Sequence, residues 1–212
     1  MKPAAPRKGR GAVISPDGRF DAWQREALDD GWWNEDEPSA LPTELVVDSA
    51  KTVITYNDSP DLPYDRSINP YRGCEHGCAY CFARPTHAYL GLSPGLDFET
   101  RLAWKADAPA CLRRELAKPG YACRPIALGI NTDAWQPVER RLGVTRAVLE
   151  VLAETGHPVT LVTKSALVLR DLDLLAAMAR ERRVHAAVSV TTLDAELART
   201  LEPRAPSPRR RL

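Results

Sequence analysis

The chain has 212 residues, of which 44% are hydrophobic and 27% charged, and its formal net charge is +1. Such a composition is typical of a globular protein, and the small net charge excludes a strong overall attraction to nucleic acid or anionic membranes. No apolar run approaches the roughly 20 residues that a membrane span needs, and no apolar segment follows the basic N-terminus as in a secretory signal. We therefore predict a cytoplasmic protein without membrane contact, in which clustered cysteines are metal ligands or catalysts rather than disulfides.

The first part of the chain, residues 1–62, is predicted to be an N-terminal extension that precedes a core domain of residues 63–212. Its first dozen residues are rich in Pro, Lys, Arg and Gly, a composition that predicts disorder. A short helix is predicted over residues 20–28. The stretch "TELVVDSAKTVITYN" has β-forming side chains on either side of a polar turn, which predicts a β-hairpin.

The core domain alternates between apolar runs and helical periodicity. Four segments are predicted as strands: "SINPYRG", "IALGI", "VTLVT" and "VHAAVSV". The last three are nearly continuous apolar runs, which is typical of strands covered on both faces. The helical segments between them have these apolar stripes: Leu112 and Leu116; Val148, Leu149 and Leu152; Leu172, Leu175, Ala176 and Ala179. This alternation predicts βαβ units and an α/β fold with a parallel sheet.

Polar side chains follow each of the three apolar runs. They are Asn131, Thr132 and Asp133 after the first, Lys164 after the second, and Ser189 and Thr191 at the end of the third. Parallel α/β folds bind ligands at the carboxyl ends of their strands, because these ends lie on one side of the sheet. The sequence therefore predicts a binding pocket at this edge, although polar residues also begin ordinary loops.

Three of the five cysteines of the chain, Cys74, Cys78 and Cys81, lie within the stretch "GCEHGCAYC". Three soft ligands on one loop suit a zinc ion, an iron–sulfur cluster or a redox pair. A zinc site would take His76 or His87 as its fourth ligand, whereas zinc ligands usually come in two separated pairs. Three ligands on a four-iron cluster would leave one iron open, as a catalytic metal site requires.

The spacing C-x₃-C-x₂-C, with Tyr80 just before the last cysteine, resembles the signature of the radical S-adenosylmethionine (SAM) superfamily. The blocks "NPYRGCEHGCAYCFARPTHAY", "NTDAWQPVER", "VTKS" and "SVTTLD" resemble its spore photoproduct lyase-like branch more closely. The resemblance runs from about Asn69 to the C-terminus. It implies a partial parallel (β/α) barrel, of which about four of six strands are present, so that the chain is expected to be truncated at its C-terminus.

The resemblance also implies a chemistry. Cys74, Cys78 and Cys81 would hold a [4Fe–4S] cluster whose open iron binds SAM. Reductive cleavage of SAM would give a 5′-deoxyadenosyl radical that abstracts hydrogen from an unknown substrate, with DNA as one candidate. An external donor of the flavodoxin or ferredoxin type would supply the electron. The SAM-contacting residues implied by the resemblance, with Thr191 added because it shares a strand face with Ser189, are Tyr80, Asn131, Thr132, Asp133, Lys164, Ser189 and Thr191.

One position departs from the branch. Spore photoproduct lyase is expected to carry a hydrogen-donating cysteine just after its second barrel strand, where this chain has Asn131. Repair of the thymine lesion by that route is therefore not expected. Two alternatives stay open from the sequence. One is a non-catalytic zinc- or cluster-binding module that contacts nucleic acid through its basic ends, and the other is an inactive, truncated radical SAM remnant.

Overall fold

The computed structural model describes residues 10–20 and 42–212. The expected disorder of the first dozen residues and the helix expected over residues 20–28 lie almost entirely outside this part of the chain. The strands are β1 Glu44–Val47, β2 Ile54–Tyr56, β3 Arg66–Ile68, β4 Tyr71–Arg72, β5 Arg101–Trp104, β6 Ile126–Leu128, β7 Val159–Thr163 and β8 Val184–Val188. The α-helices are α1 Leu96–Thr100, α2 Ala108–Leu116, α3 Glu139–Leu142, α4 Val144–Glu154, α5 Leu172–Arg180, α6 Ala195–Leu201 and α7 Pro208–Arg211.

The larger of two sheets has five strands in the order β2-β3-β6-β7-β8. The strands β3, β6, β7 and β8 are parallel to one another, and β2 is antiparallel at one edge. The four parallel strands lie within or overlap the four predicted strand segments, and helices connect them. The predicted α/β class with a parallel sheet is confirmed, and the described strands form an open sheet rather than a closed barrel.

The two extended segments before the core do not pair with each other as the predicted hairpin requires. Strand β1 pairs in parallel with β5 in a separate sheet of order β1-β5-β4, whereas β2 pairs with β3. The reason is that Val53 and Ile54 are buried in the main core, which holds β2 on the larger sheet. A boundary at residue 62 therefore separates β2 from the strand with which it pairs.

The main core lies between the larger sheet and the helices α2, α4 and α5. The predicted stripe of α4 is confirmed, because Val148, Leu149 and Leu152 are all fully buried. In α5 the stripe is displaced: Leu175 and Met178 are buried, but Leu172 is 56% exposed. None of the helices in the described residues is long and apolar enough to cross a membrane.

Strand β8 departs from the expectation that all three apolar runs are covered on both faces. Every residue of β6 is buried, whereas β8 has no buried residue and Val188 is 48% exposed. The reason is topological, since β8 pairs only with β7 and forms an edge of the sheet. An apolar run indicates a strand that tends to be buried, but a strand at the edge of a sheet lacks a neighbouring strand on one side and stays more exposed.

Candidate metal and cofactor site

The loop that carries the three clustered cysteines follows β4 and leads into the 3-10 helix Arg84–Leu90. Cys74 and Cys78 are buried, with 7% and 8% of their surface exposed, and Cys81 is half-buried. All three line one cavity of about 110 Å³. The loop therefore brings three free thiols to one cavity, as a multi-iron cluster requires.

Two glycines allow the loop to fold so tightly. Gly73 and Gly77 have φ angles of 80° and 64°, a left-handed conformation that side-chain-bearing residues rarely adopt. A Cβ atom on Gly73 would lie only 2.7 Å from Leu102 Cδ2 and 2.8 Å from the carbonyl oxygen of Phe98. That carbonyl accepts a hydrogen bond of 2.9 Å from the Cys74 amide. This backbone hydrogen bond fixes the position of Cys74.

Two side chains that the sequence interpretation did not identify hold the rest of the loop. The buried amide of Gln136 accepts a hydrogen bond of 2.7 Å from the Glu75 backbone and donates one of 3.1 Å to the carbonyl of Gly73. The Arg84 guanidinium donates to the carbonyl of Cys78 at 2.9 Å. Both residues belong to the blocks "NTDAWQPVER" and "CFARP", but nothing in their local pattern indicates these long-range contacts.

The predicted strand-end residues meet at the same cavity. The residues that line it include Asn131, Thr132 and Asp133 after β6, Lys164 after β7 and Ser189 after β8. The carboxyl ends of three parallel strands thus face the cysteine loop, which is the arrangement that the strand order predicts. The remaining two predicted residues, Tyr80 and Thr191, lie beside it rather than in its lining.

Tyr80 and Thr191 form a polar cluster with a residue that the sequence interpretation missed. The Tyr80 hydroxyl lies 2.9 Å from the Thr191 hydroxyl and donates to the carboxylate of Glu202, which also accepts a 2.6 Å bond from Thr191. The Lys164 ammonium lies 5.7 Å from the centre of the Tyr80 ring, within the range of a cation–π interaction. The ring of Tyr80 therefore helps to hold Lys164 at the cavity.

Asp133 has a structural role that is visible in its contacts. One carboxylate oxygen accepts from the Thr163 hydroxyl at 2.7 Å, and the other accepts from the Lys164 amide at 2.8 Å and lies 3.4 Å from His76 Nδ1. Burial by itself would lower the pKa of His76, but the Asp133 carboxylate and the nearby Cys74 outweigh it and raise this pKa to about 10. The buried pair links the cysteine loop to the ends of β6 and β7.

The thiols of the site are difficult to ionise without a compensating charge. Burial, followed by repulsion from Cys74, raises the pKa of Cys78 to about 12, although the positive charge of Lys164 acts in the opposite direction. Burial likewise raises the pKa of Cys81. A metal centre supplies the positive charge that such thiolates require.

The other cysteines and the second candidate histidine lie away from the cavity. Cys111 is buried and lies 3.3 Å from the carbonyl of Ala50, while Cys123 is exposed. His87 is buried, and its Nε2 contacts the carbonyl of Arg101 at 2.9 Å. Within residues 10–20 and 42–212, no three Cys, His, Asp or Glu side chains are arranged to hold a single metal ion.

The sequence comparisons find relatives in bacteria and archaea. No protein-family model matches the chain. Uncharacterized proteins of Mycobacterium tuberculosis and Mycobacterium bovis are 44% identical over 151 residues, which is 71% of this chain and 44% of the relatives. An uncharacterized protein of Methanocaldococcus jannaschii is 26% identical over 169 residues, 80% of this chain and 60% of that protein. The chain therefore spans about half the length of the mycobacterial relatives.

Solved structures of spore photoproduct lyase are similar in fold. A double mutant with bound AdoMet and dinucleoside spore photoproduct has a TM-score of 0.55 at 17% identity, covering 79% of this chain and 45% of that one. The lyase complexed with dinucleoside spore photoproduct has a TM-score of 0.55 at 18% identity, and the match covers 87% of this chain and 51% of that one. The described chain has the α/β fold of about half of spore photoproduct lyase.

Proposed function

We propose that the chain is a radical SAM enzyme whose [4Fe–4S] cluster is held by Cys74, Cys78 and Cys81. The observation that carries the proposal is the convergence of these three thiols with the polar ends of three parallel strands on one cavity. The cofactor-binding face of a parallel α/β fold is the same edge. The fold of spore photoproduct lyase, including a form with bound AdoMet, supports the same conclusion.

The donor set fits a cluster. Thiolates are the usual ligands of iron in cubane clusters, and each cysteine of the loop lines the cavity from a different point of a tight turn. A mononuclear zinc site needs four ligands about 2.0–2.3 Å from one ion. Among the described residues, His87 does not line the cysteine cavity, and no three Cys, His, Asp or Glu side chains are arranged to hold one such ion.

Residues around the cysteines have the chemistry to bind the amino acid part and the nucleoside part of SAM. Lys164 would pair with the carboxylate, because a flexible ammonium can reach across a pocket. Asn131 and Ser189 would hydrogen-bond the cofactor from the neighbouring strand ends, and Tyr80 would pack near the adenine. Asp133 and Thr132 would hold these groups in place. Asp133 is engaged by Thr163, Lys164 and His76, and the Thr132 hydroxyl donates to the carbonyl of Tyr71 at 3.3 Å.

A cluster held by Cys74, Cys78 and Cys81 would supply the chemistry, namely one-electron reductive cleavage of SAM to methionine and a 5′-deoxyadenosyl radical for hydrogen abstraction from a substrate. The protein would bind, orient and shield these groups. Ile130 and Val162 add apolar surface to the lining of the cavity. An external reductant of the flavodoxin or ferredoxin type would deliver the electron.

We further propose nucleic acid as the substrate class to test first. The support is the fold of a lyase whose structures hold a dinucleoside spore photoproduct. Because Asn131 lies at the cavity where a hydrogen-donating cysteine is expected in that enzyme, the substrate reaction is expected to differ from thymine lesion repair.

Metal analysis separates this proposal from a zinc module. Protein purified under anaerobic conditions is expected to bind iron and sulfide in excess over zinc after reconstitution. The matched variants are Cys78→Ala, which removes a ligand, and Cys123→Ala, which removes an exposed thiol away from the cavity. We expect iron to be lost in the first variant and kept in the second. Zinc bound in place of iron, or iron binding that survives Cys78→Ala, would contradict the proposal.

A further inference from the structure

A second cavity, of about 450 Å³, lies beside the cysteine cavity and is lined by arginines. Its lining side chains include His76, Arg140, Ser165, Arg170, Arg204 and Arg210. They come from distant parts of the chain, namely the cysteine loop, the segment around α3, the end of β7 and the C-terminal segment. We call this cavity the arginine cleft. Among the described residues, no Asp or Glu side chain lines it.

The four arginines differ in how far they are neutralised. Arg170 pairs with the buried carboxylates of Glu139 and Asp171, and Arg204 pairs with Glu75 at 3.2 Å. Arg140 and Arg210 are exposed and make no ion pair within residues 10–20 and 42–212. A chain with a net charge of only +1 therefore places two uncompensated guanidinium groups at one concave site.

We propose that the arginine cleft is a binding site for phosphate groups, and that its ligand is the backbone of a nucleic acid strand. Guanidinium groups bind phosphate oxygens through two parallel hydrogen bonds, and a concave site with charges of one sign concentrates an anionic ligand. Phosphate contacts position a nucleic acid without reading its sequence. The exposed Arg140 and Arg210 would make the contacts, while Arg170 and Arg204 shape the walls.

The arginine cleft lies next to the cysteine cavity. His76 lines both cavities, and the Arg204 amide donates to the carbonyl of His76 at 3.3 Å. A strand with a phosphate in the arginine cleft would have its neighbouring nucleotide close to the cysteine cavity. This part of the inference rests on the proposed radical SAM function, whereas phosphate binding itself does not.

The test compares two double variants of the full chain, each of which removes two positive charges. Arg140→Gln with Arg210→Gln changes the cleft, and Lys118→Gln with Arg180→Gln changes exposed residues elsewhere. All four side chains are exposed, so both variants are expected to fold, which circular dichroism checks. The probe is a fluorescein-labelled single-stranded DNA 12-mer followed by anisotropy over a NaCl titration, with no SAM and no reductant present.

We expect the cleft variant to bind the oligonucleotide about tenfold or more weakly and the control variant to bind it as the unchanged chain does. The slope of log K against log salt should fall by roughly 1.4 in the cleft variant only, since each phosphate contact on a single strand contributes about 0.7. Equal weakening in both variants, or no binding to the unchanged chain, would overturn the proposal of a nucleic acid ligand.

A second probe, inorganic pyrophosphate measured by calorimetry, separates a strand from a small phosphate compound. One outcome is that pyrophosphate binds, that only the cleft variant loses this binding, and that the unchanged chain does not bind the oligonucleotide. This outcome would support the phosphate site and overturn the nucleic acid ligand. Absence of cleft-dependent binding for both probes would overturn the site itself. Because neither measurement uses a cluster or SAM, a failure here is distinct from a failure of the proposed enzymatic function.

Discussion

At the scale of single residues, Asp133 and Lys164 show how neighbouring polar positions at strand ends take different roles. Both carboxylate oxygens of Asp133 are occupied by hydrogen bonds from within the protein. The Lys164 ammonium instead lies over the Tyr80 ring beside the cysteine cavity. Lys164 has no ion-pair partner among the described residues and is available to a ligand, whereas Asp133 fixes the backbone from which Lys164 projects.

Lys164→Ala is expected to weaken SAM binding to the reconstituted protein by about tenfold or more, because a charge-assisted hydrogen bond contributes roughly 1.5–3 kcal/mol. Lys164→Arg should recover part of this loss, and iron content should stay unchanged in both variants. Equilibrium dialysis with labelled SAM and iron analysis measure the two quantities. Unchanged SAM affinity in Lys164→Ala would remove this residue from the binding site.

Glu202 is a residue whose loss should affect stability. Its carboxylate pairs with Arg211, and both side chains are 1% exposed. Removing one partner of a buried ion pair leaves the other charge unpaired, at a cost of about 3–5 kcal/mol. Glu202→Ala should lower the free energy of unfolding in urea by this amount, and Tyr80→Phe by only about 1 kcal/mol. A loss in Glu202→Ala no larger than that in Tyr80→Phe would show that the pair is not maintained in solution.

At the scale of elements, residues 10–12 pack against the cysteine loop. The amides of Arg10, Gly11 and Ala12 donate to the Glu99 carboxylate at 2.8, 2.9 and 2.7 Å. Gly11 lies so close to the loop that a Cβ atom there would be 1.8 Å from the carbonyl oxygen of Gly77. The N-terminal segment thus packs on the cysteine loop itself.

Gly11→Ala is expected to displace this segment, because backbone atoms cannot approach so closely once a methyl group is present. The displaced chain should be cut faster by protease between residues 10 and 20, and the reconstituted protein should lose iron faster in air. Val13→Ala is the control, since that side chain is half exposed. Cleavage and iron loss that match between the two variants would show that the segment does not support the loop.

At the scale of the whole molecule, buried carboxylates connect distant parts of the chain and make stability depend on pH. Burial tends to raise the pKa of Asp171, but hydrogen bonds from Arg170, Trp135 and Arg146 outweigh it and lower that pKa. The pKa of Glu202 is likewise lowered, by Thr191, Tyr80 and Arg211 against the effect of burial. Groups with lowered pKa values in the folded state stabilise it while they are ionised.

The contribution of these carboxylates to the free energy of unfolding should therefore be fully present above the ordinary carboxyl pKa of about 4 and should be lost as the pH drops through the lower folded-state values. Urea unfolding between neutral pH and about pH 3 measures this change. Asp171→Asn should show a smaller loss in acid than the unchanged chain. A free energy of unfolding that is constant across this range would contradict the ionised state of these groups.

The sequence was informative where the signal is local. The apolar runs of β6 and β7 predicted a parallel sheet. The cysteine spacing predicted three metal ligands on one loop, and the structure places these three thiols at one cavity. Features that depend on distant contacts could not be predicted. The exposure of β8 results from its having one neighbouring strand, and the pairing of β2 results from the burial of Ile54. Gln136 contacts Glu75 across 61 positions of the chain, and Glu202 of the C-terminal segment contacts Tyr80.

The most direct test of the central claim is the formation of 5′-deoxyadenosine from SAM by the anaerobically reconstituted chain after addition of dithionite. We predict product that depends on reductant, disappears in Cys78→Ala and persists in Cys123→Ala. Bound iron without any 5′-deoxyadenosine, or product that persists in Cys78→Ala, would contradict the assignment of these three cysteines to a working radical SAM site.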